Sequence, residues 1–159
     1  MAKAVKTNVL RHLDAAKIPY ETREYAVEDD NFDGKLVAGK TGLDPDMIYK
    51  TLVLTGDGQR HLVCIIPVEK ELDLKAVARA SGHKSVSMLP QKELLPLTGY
   101  IHGGCSPIGM KKPFPTVLHQ SAGEQKTICF SAGKIGYQVE VDPADLQKML
   151  PMRLADVIK

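Results

Sequence analysis

Two stretches of small residues and one lysine are the places in this chain where chemistry could be done. Gly103-Gly104-Cys105-Ser106-Pro107 sets adjacent glycines beside a thiol and a hydroxyl. Adjacent glycines let a backbone approach a ligand closely, and their N–H groups can face a developing oxyanion or a phosphate. A tight turn whose φ angles only glycine tolerates is the simpler explanation of the same pair. The loop lacks the lysine of a phosphate-binding P-loop, which argues against nucleotide hydrolysis. Ser131-Ala132-Gly133-Lys134-Ile135-Gly136 is a second such loop, directly after the apolar run Ile128-Cys129-Phe130. A loop at a strand end is a common place for a ligand contact, or it simply connects to the next strand. Lys50 follows Ile48-Tyr49; a lysine there can present its ammonium where negative charge develops, or snorkel to water. Cys105 could be a nucleophile with His102 or His119 as base, but no third group is placed to orient that base.

The elements that must position these groups follow from periodicity. Val5, Val9, Leu10, Leu13, Ala16 and Ile18 recur at helical spacing, and Pro19 is expected to stop that helix. Tyr20–Val27 reads as a strand, Leu36–Ala38 as a short helix ended by Gly42, and Asp44-Pro45 as the cap of a helical turn. Thr51–Thr55 and His61–Ile66 are β-rich runs joined across Asp57-Gly58, hence a hairpin. Consecutive Ile65-Ile66 predicts a central strand buried on both faces. Leu72–Ala80 is a helix closed by Ser81-Gly82, Val86–Met88 a strand, and Pro90–Leu97 a helix ended by Gly99. Tyr100–Pro115, with three glycines and three prolines in sixteen residues, is irregular, and such segments inside compact domains usually carry function. Strands follow at Thr116–His119, Thr127–Phe130 and Tyr137–Val141, then a helix capped by Asp142-Pro143 from Ala144 to Leu150. Interleaved helices and strands with some hairpin-short connections give an α/β domain with a mixed sheet.

Composition bounds the class. The chain has 159 residues, 43% hydrophobic and 25% charged, with a net charge of +2; one domain spanning 1–159 with an ordinary core is expected. The longest stretch without a charge, residues 94–110, is broken by Pro96, Gly99, Gly103, Gly104 and Pro107, so no membrane helix is expected. Three cysteines without metal spacing, and histidines without ligand spacing, predict no disulfide framework and no metal site. A reducing cytoplasm fits. The near-neutral charge demands neither DNA nor RNA, although Lys111-Lys112 beside Phe114 could meet a phosphate backbone or stack a terminal base.

Four blocks in order carry a resemblance: Ile48-Tyr49-Lys50-Thr51-Leu52-Val53, Leu72-Asp73-Leu74-Lys75, Thr98 through Gly109, and Ser131 through Gly136. Together they resemble the YbaK/EbsC family of free-standing aminoacyl-tRNA deacylases, relatives of the editing domain inserted in some prolyl-tRNA synthetases. The resemblance implies a single domain built on a mixed, curved sheet with a barrel-like core and helices outside it. It implies trans-editing hydrolysis of Cys-tRNA(Pro) assisted by the substrate's own thiol, without cofactor or metal. The implied partners are the cysteine-bearing acceptor end of tRNA(Pro) and prolyl-tRNA synthetase. Lys50, Gly103 and Gly104 match the catalytic positions. Tyr25, Thr51, Ser106, Ser131 and Gly133 match substrate-binding ones. Gln138 falls where some relatives carry an aspartate. A deacylase for Ala-tRNA(Pro) or another misacylated tRNA, and a non-catalytic tRNA- or synthetase-binding module, are the alternatives.

Overall fold

The structure, a computed structural model, describes residues 6–24, 43–150 and 152–159. Tyr25, the end of the strand expected to reach Val27, and the short helix expected at Leu36–Ala38 lie outside the described residues.

Helix α1 (Asn8–Ala15) starts at Thr7, whose hydroxyl accepts from the Leu10 N–H, and buries Val9, Leu10 and Leu13. It ends earlier than the proline suggests. Lys17 takes φ 59°, its N–H donates to the Asp14 carbonyl, and the Ile18 N–H reaches back to Leu13 at 3.0 Å. That is a Schellman ending with lysine in the left-handed position that glycine usually holds. A Lys17→Gly variant is therefore expected to gain roughly 1 kcal/mol of stability, read as a higher midpoint in urea.

Strands β1 (Glu21–Glu24), β2 (Tyr49–Thr55) and β3 (His61–Pro67) come next, then helix α2 (Leu74–Ser81) and the short β4 (Ser87–Met88). Helix α3 (Gln91–Thr98), β5 (Thr116–His119), β6 (Ile128–Ser131), β7 (Tyr137–Val141), helix α4 (Pro143–Met149) and β8 (Met152–Ala155) complete the described order. The strands form two sheets, β1-β7-β6 and β4-β2-β3-β5-β8. The first is antiparallel, whereas the second is mixed, with β3, β5 and β8 parallel. A parallel bridge between Ile48 and Cys129 links the two sheets at the start of β2.

One core lies where α1 and both sheets meet, built from Leu13, Val53, Ile65, Leu118, Phe130 and Val139 among others. A second covers the other face of the five-stranded sheet with Leu54, Leu62, Cys64, Ile66 and Val77. Strand β3 feeds alternate residues to each, so the Ile65-Ile66 pair marks a strand buried on both faces.

The expected hairpin forms, with Thr55 opposite His61. Its turn is longer than a two-residue one, with Gly58 and Gln59 both at positive φ. Asp57 does more than turn the chain. Its carboxylate accepts the Lys84 N–H at 2.6 Å and the Ser85 N–H at 3.4 Å, tying the loop before β4 to the hairpin. The Lys84 N–H, followed by the other donors, holds this carboxyl below the usual aspartate range.

Candidate active site

Strand β2 has an edge that its neighbours cover only in part. Strand β4 pairs with it at Leu54 and Thr55, and the Leu89 N–H donates to Val53 O. The bridge to Cys129 occupies Ile48. Between these points, among the described residues, no bridge covers this edge. A cavity of about 340 Å³ lies there, lined by Ile48 and, on β2, by residues from Tyr49 to Val53, with Met88, Leu89 and Leu94 also lining it. That volume lies within the range of small-ligand sites.

Strand alternation sends Lys50 and Thr51 to opposite faces. Both line the cavity because it follows the edge rather than one face. Gly103, His102 and Cys105 approach from the long loop, while Ser131 and Gln138 come from the other sheet. These last two are register partners on β6 and β7, so their side chains share a face. The Ser131 hydroxyl accepts the Gly133 N–H at 3.1 Å and is thereby fixed at the cavity wall.

Four of the expected site residues, Lys50, Thr51, Gly103 and Ser131, thus meet at one cavity. Three others do not line it. Ser106 is fully buried and its hydroxyl accepts the Ile108 N–H at 3.4 Å; it shapes its own turn. Gly104 donates its N–H to Ile101 O at 3.0 Å, so the expected pair of adjacent oxyanion donors is reduced to the Gly103 side. A Cβ on Gly104 would sit 3.2 Å from the Ile135 backbone nitrogen: this glycine lets the two small-residue loops pack together. Gly133, at φ 91°, lies against Val9 and Tyr100 instead of the cavity. Tyr25 is outside the described residues.

The long loop is braced from within. The Tyr100 hydroxyl donates to the Ile108 carbonyl across the loop, and burial pushes this phenol up to about 12. A second brace holds the start of β2. The Tyr49 hydroxyl and Ser121 Oγ lie 2.6 Å apart, Ser121 Oγ is 2.8 Å from His119 Nδ1, and His119 Nε2 is 3.3 Å from Asp156. The Ser121 N–H also donates to His119 Nδ1 at 3.2 Å. That places the ring proton on Nε2, toward Asp156. His119 is therefore committed to this chain of contacts, not to Cys105.

Cys105 itself is buried, and burial pushes its thiol up to about 12. A protonated thiol is a poor nucleophile. Cys105→Ala is expected to keep a deacylation rate within about twofold of the parent, and a loss of a hundredfold or more would restore the nucleophile. The basic patch is also partly spent. Lys111 donates to Pro96 O at the end of α3, and Lys112 sits 5.7 Å over the Phe114 ring. Among the described residues no group of three metal-ligating side chains occurs, and no helix is long and apolar enough to cross a membrane.

Gln138 and the residues after β4 were not recognisable as cavity walls from periodicity. A polar residue in the run Tyr137-Gln138-Val139-Glu140-Val141 reads as one that faces water. Gln138 is only 6% exposed.

Comparison with known proteins converges on one family. Residues 35–149 match the model of the "Aminoacyl-tRNA editing domain". A protein of Enterococcus faecalis (strain ATCC 700802 / V583), named "Putative Cys-tRNA(Pro)/Cys-tRNA(Cys) deacylase EbsC", is 43% identical over 152 residues, covering 96% of this chain and 93% of that one. A crystal structure described as "a putative trans-editing enzyme for prolyl tRNA synthetase" superposes with TM-score 0.80 at 19% identity, over 96% of this chain and 98% of that one. Another, described as a hypothetical protein, gives TM-score 0.86 at 20% identity, over 95% of this chain and 99% of that one. The two structures share the fold.

Proposed function

Since the chain belongs to the aminoacyl-tRNA editing domain family, we propose that it hydrolyses cysteine wrongly attached to tRNA(Pro), acting in trans to prolyl-tRNA synthetase. The observation that carries this reading is the single cavity at the β2 edge, where Lys50, Thr51, Gly103 and Ser131 meet. The name of the Enterococcus relative favours cysteine over alanine as the amino acid.

An aminoacyl ester is already activated, so oriented donors suffice for a useful acceleration. The substrate thiol attacks its own ester carbonyl, a carbon–sulfur bond forms, and the carbon–oxygen bond to the ribose breaks. The thiol proton ends on the released tRNA hydroxyl, and water then opens the cyclic thioester to free cysteine. The Lys50 ammonium holds the ribose or terminal phosphate side. A backbone N–H at Gly103 faces the carbonyl oxygen as charge builds there, and the Ser131 hydroxyl orients the amino acid. Cys105, protonated and buried, takes no covalent part. Proline lacks the thiol and survives by the same logic. Three free, buried cysteines fit work in a reducing cytoplasm.

The test is incubation of the protein with cysteinyl-, alanyl- and prolyl-tRNA(Pro) under chelation. Rapid loss of the cysteinyl ester alone is the expected result. Preferential loss of alanine would move the specificity to the smaller amino acid. Stability of all three esters, with and without prolyl-tRNA synthetase, would leave a binding module in place of an enzyme.

A further inference from the structure

Among the described residues, two buried side-chain polar atoms have no hydrogen-bond partner: Thr51 Oγ1 and Gln138 Oε1. Both belong to residues lining the same cavity. Folded proteins satisfy nearly all such atoms, because an unpaired one forfeits its hydration without recompense. Two at the wall of one cavity, contributed by different sheets, mark a place where a small side-chain rotation would let a ligand complete the bonding.

The surroundings explain why the protein does not complete it. Gln138 stands opposite Arg23 on β1, but that guanidinium is held by Glu140 at 2.7 Å. Its other cross-strand partner, Ser131, accepts from Gly133. Thr51 lies on the length of β2 that neither β4 nor the Ile48–Cys129 bridge covers. The missing group must therefore bring donors. An amide oxygen accepts only, and a threonine hydroxyl can accept as well. Ile48, Leu52, Val68 and Leu89 make the neighbouring walls apolar, which strengthens a bond between a cation and fixed dipoles.

We propose that Gln138 Oε1 and Thr51 Oγ1 together receive the α-ammonium group of the aminoacyl ester. An ammonium offers three donors and no acceptor, which matches two unpaired oxygens. This assignment rests on the deacylase reading above and adds the recognition element for the amino acid itself. Gln138 is then a specificity-determining residue: it demands a free amino group, and leaves the reacting carbonyl to Gly103 and the ribose or terminal phosphate to Lys50.

The experiment uses two stable amide-linked analogues on 3′-amino-3′-deoxyadenosine, one carrying cysteine and one carrying 3-mercaptopropionate. The second lacks the amine and adds no bulk. Calorimetry on the intact protein is expected to show roughly tenfold or more tighter binding of the cysteinyl analogue. Gln138→Leu and Thr51→Val should each remove most of that preference. Their melting temperatures should hold or rise, since the deleted oxygens had no partner in the fold. Gln138→Glu, which keeps an acceptor, should retain the preference. Equal binding of the two analogues by the parent, or an equal loss of both in Gln138→Leu, overturns the assignment. So does failure of the parent to bind either. A parent that deacylates cysteinyl-tRNA(Pro) yet binds both analogues equally loses the amine assignment and keeps the enzyme. One that prefers the amine yet cleaves no ester keeps the assignment and loses the enzyme.

Discussion

Replacing Lys50 by alanine is expected to lower deacylation of cysteinyl-tRNA(Pro) by about 10²–10³-fold, the usual loss when a preorganised electrostatic group is removed. Lys50 sits on β2, opposite Ile66 in the central hairpin, so its position is set by a strand buried on both faces. Such a strand does not move to let another group take over. Arginine is expected to restore little, because its planar fork does not occupy the place of a compact ammonium. The measurement is single-turnover hydrolysis, with thermal melting as the control. Lys50 is half-buried, and the melting temperature should change little. A Lys50→Ala protein keeping more than about a tenth of the parent rate would remove the lysine from the mechanism.

The second large effect is on stability. Gly133 has φ 91° and its missing Cβ would lie 2.9 Å from Val9 Cγ2 and 3.1 Å from Tyr100 Cε1. Alanine there meets both a left-handed backbone, costing about 1–2 kcal/mol, and overpacking of about 1–3 kcal/mol. Gly58 provides the control. It has φ 64° with nothing within 4 Å of its Cβ position, so Gly58→Ala carries only the backbone cost. Urea denaturation should show Gly133→Ala less stable than Gly58→Ala by at least about 1 kcal/mol. Equal losses would mean that Val9 and Tyr100 give way freely. Because Tyr100 also braces the loop carrying Gly103, deacylation by Gly133→Ala should fall along with its stability.

Much of the scaffold was legible before the structure. Ile65-Ile66 announced the doubly buried strand, Asp57-Gly58 the hairpin, and Asp142-Pro143 the last helix, which begins at Pro143. Other features depend on contacts that local pattern does not contain. Strand β8, Met152–Ala155, has only four residues, two of them exposed; its partner is β5, far back in the chain. The end of α1 hides in Lys17, a residue with no special affinity for the left-handed region.

The candidate site divides in the same way. Lys50, Thr51, Gly103 and Ser131 sit in blocks whose resemblance pointed to them, and the cavity gathers them. Gly104, Ser106 and Gly133 sit in those same blocks, yet their contacts are with the fold. A motif marks what a loop needs to exist as well as what it touches. Gln138 was marked by the resemblance only as a departure from aspartate; its place in the cavity wall depends on the register with Ser131, which local pattern does not contain.

The three buried thiols bear on the company this protein would keep. At a value of about 12 for each, on the order of one in 10⁵ would be thiolate at neutral pH. In the proposed mechanism the cyclic thioester released in the cavity is an acylating agent, and free cysteine is a partner for mixed disulfides. Of the three cysteines, Cys105 is the one that lines the cavity. Kept as a thiol, it would be spared self-acylation and slow oxidative inactivation, so a protein acting by that mechanism would handle a sulfur electrophile without becoming its substrate.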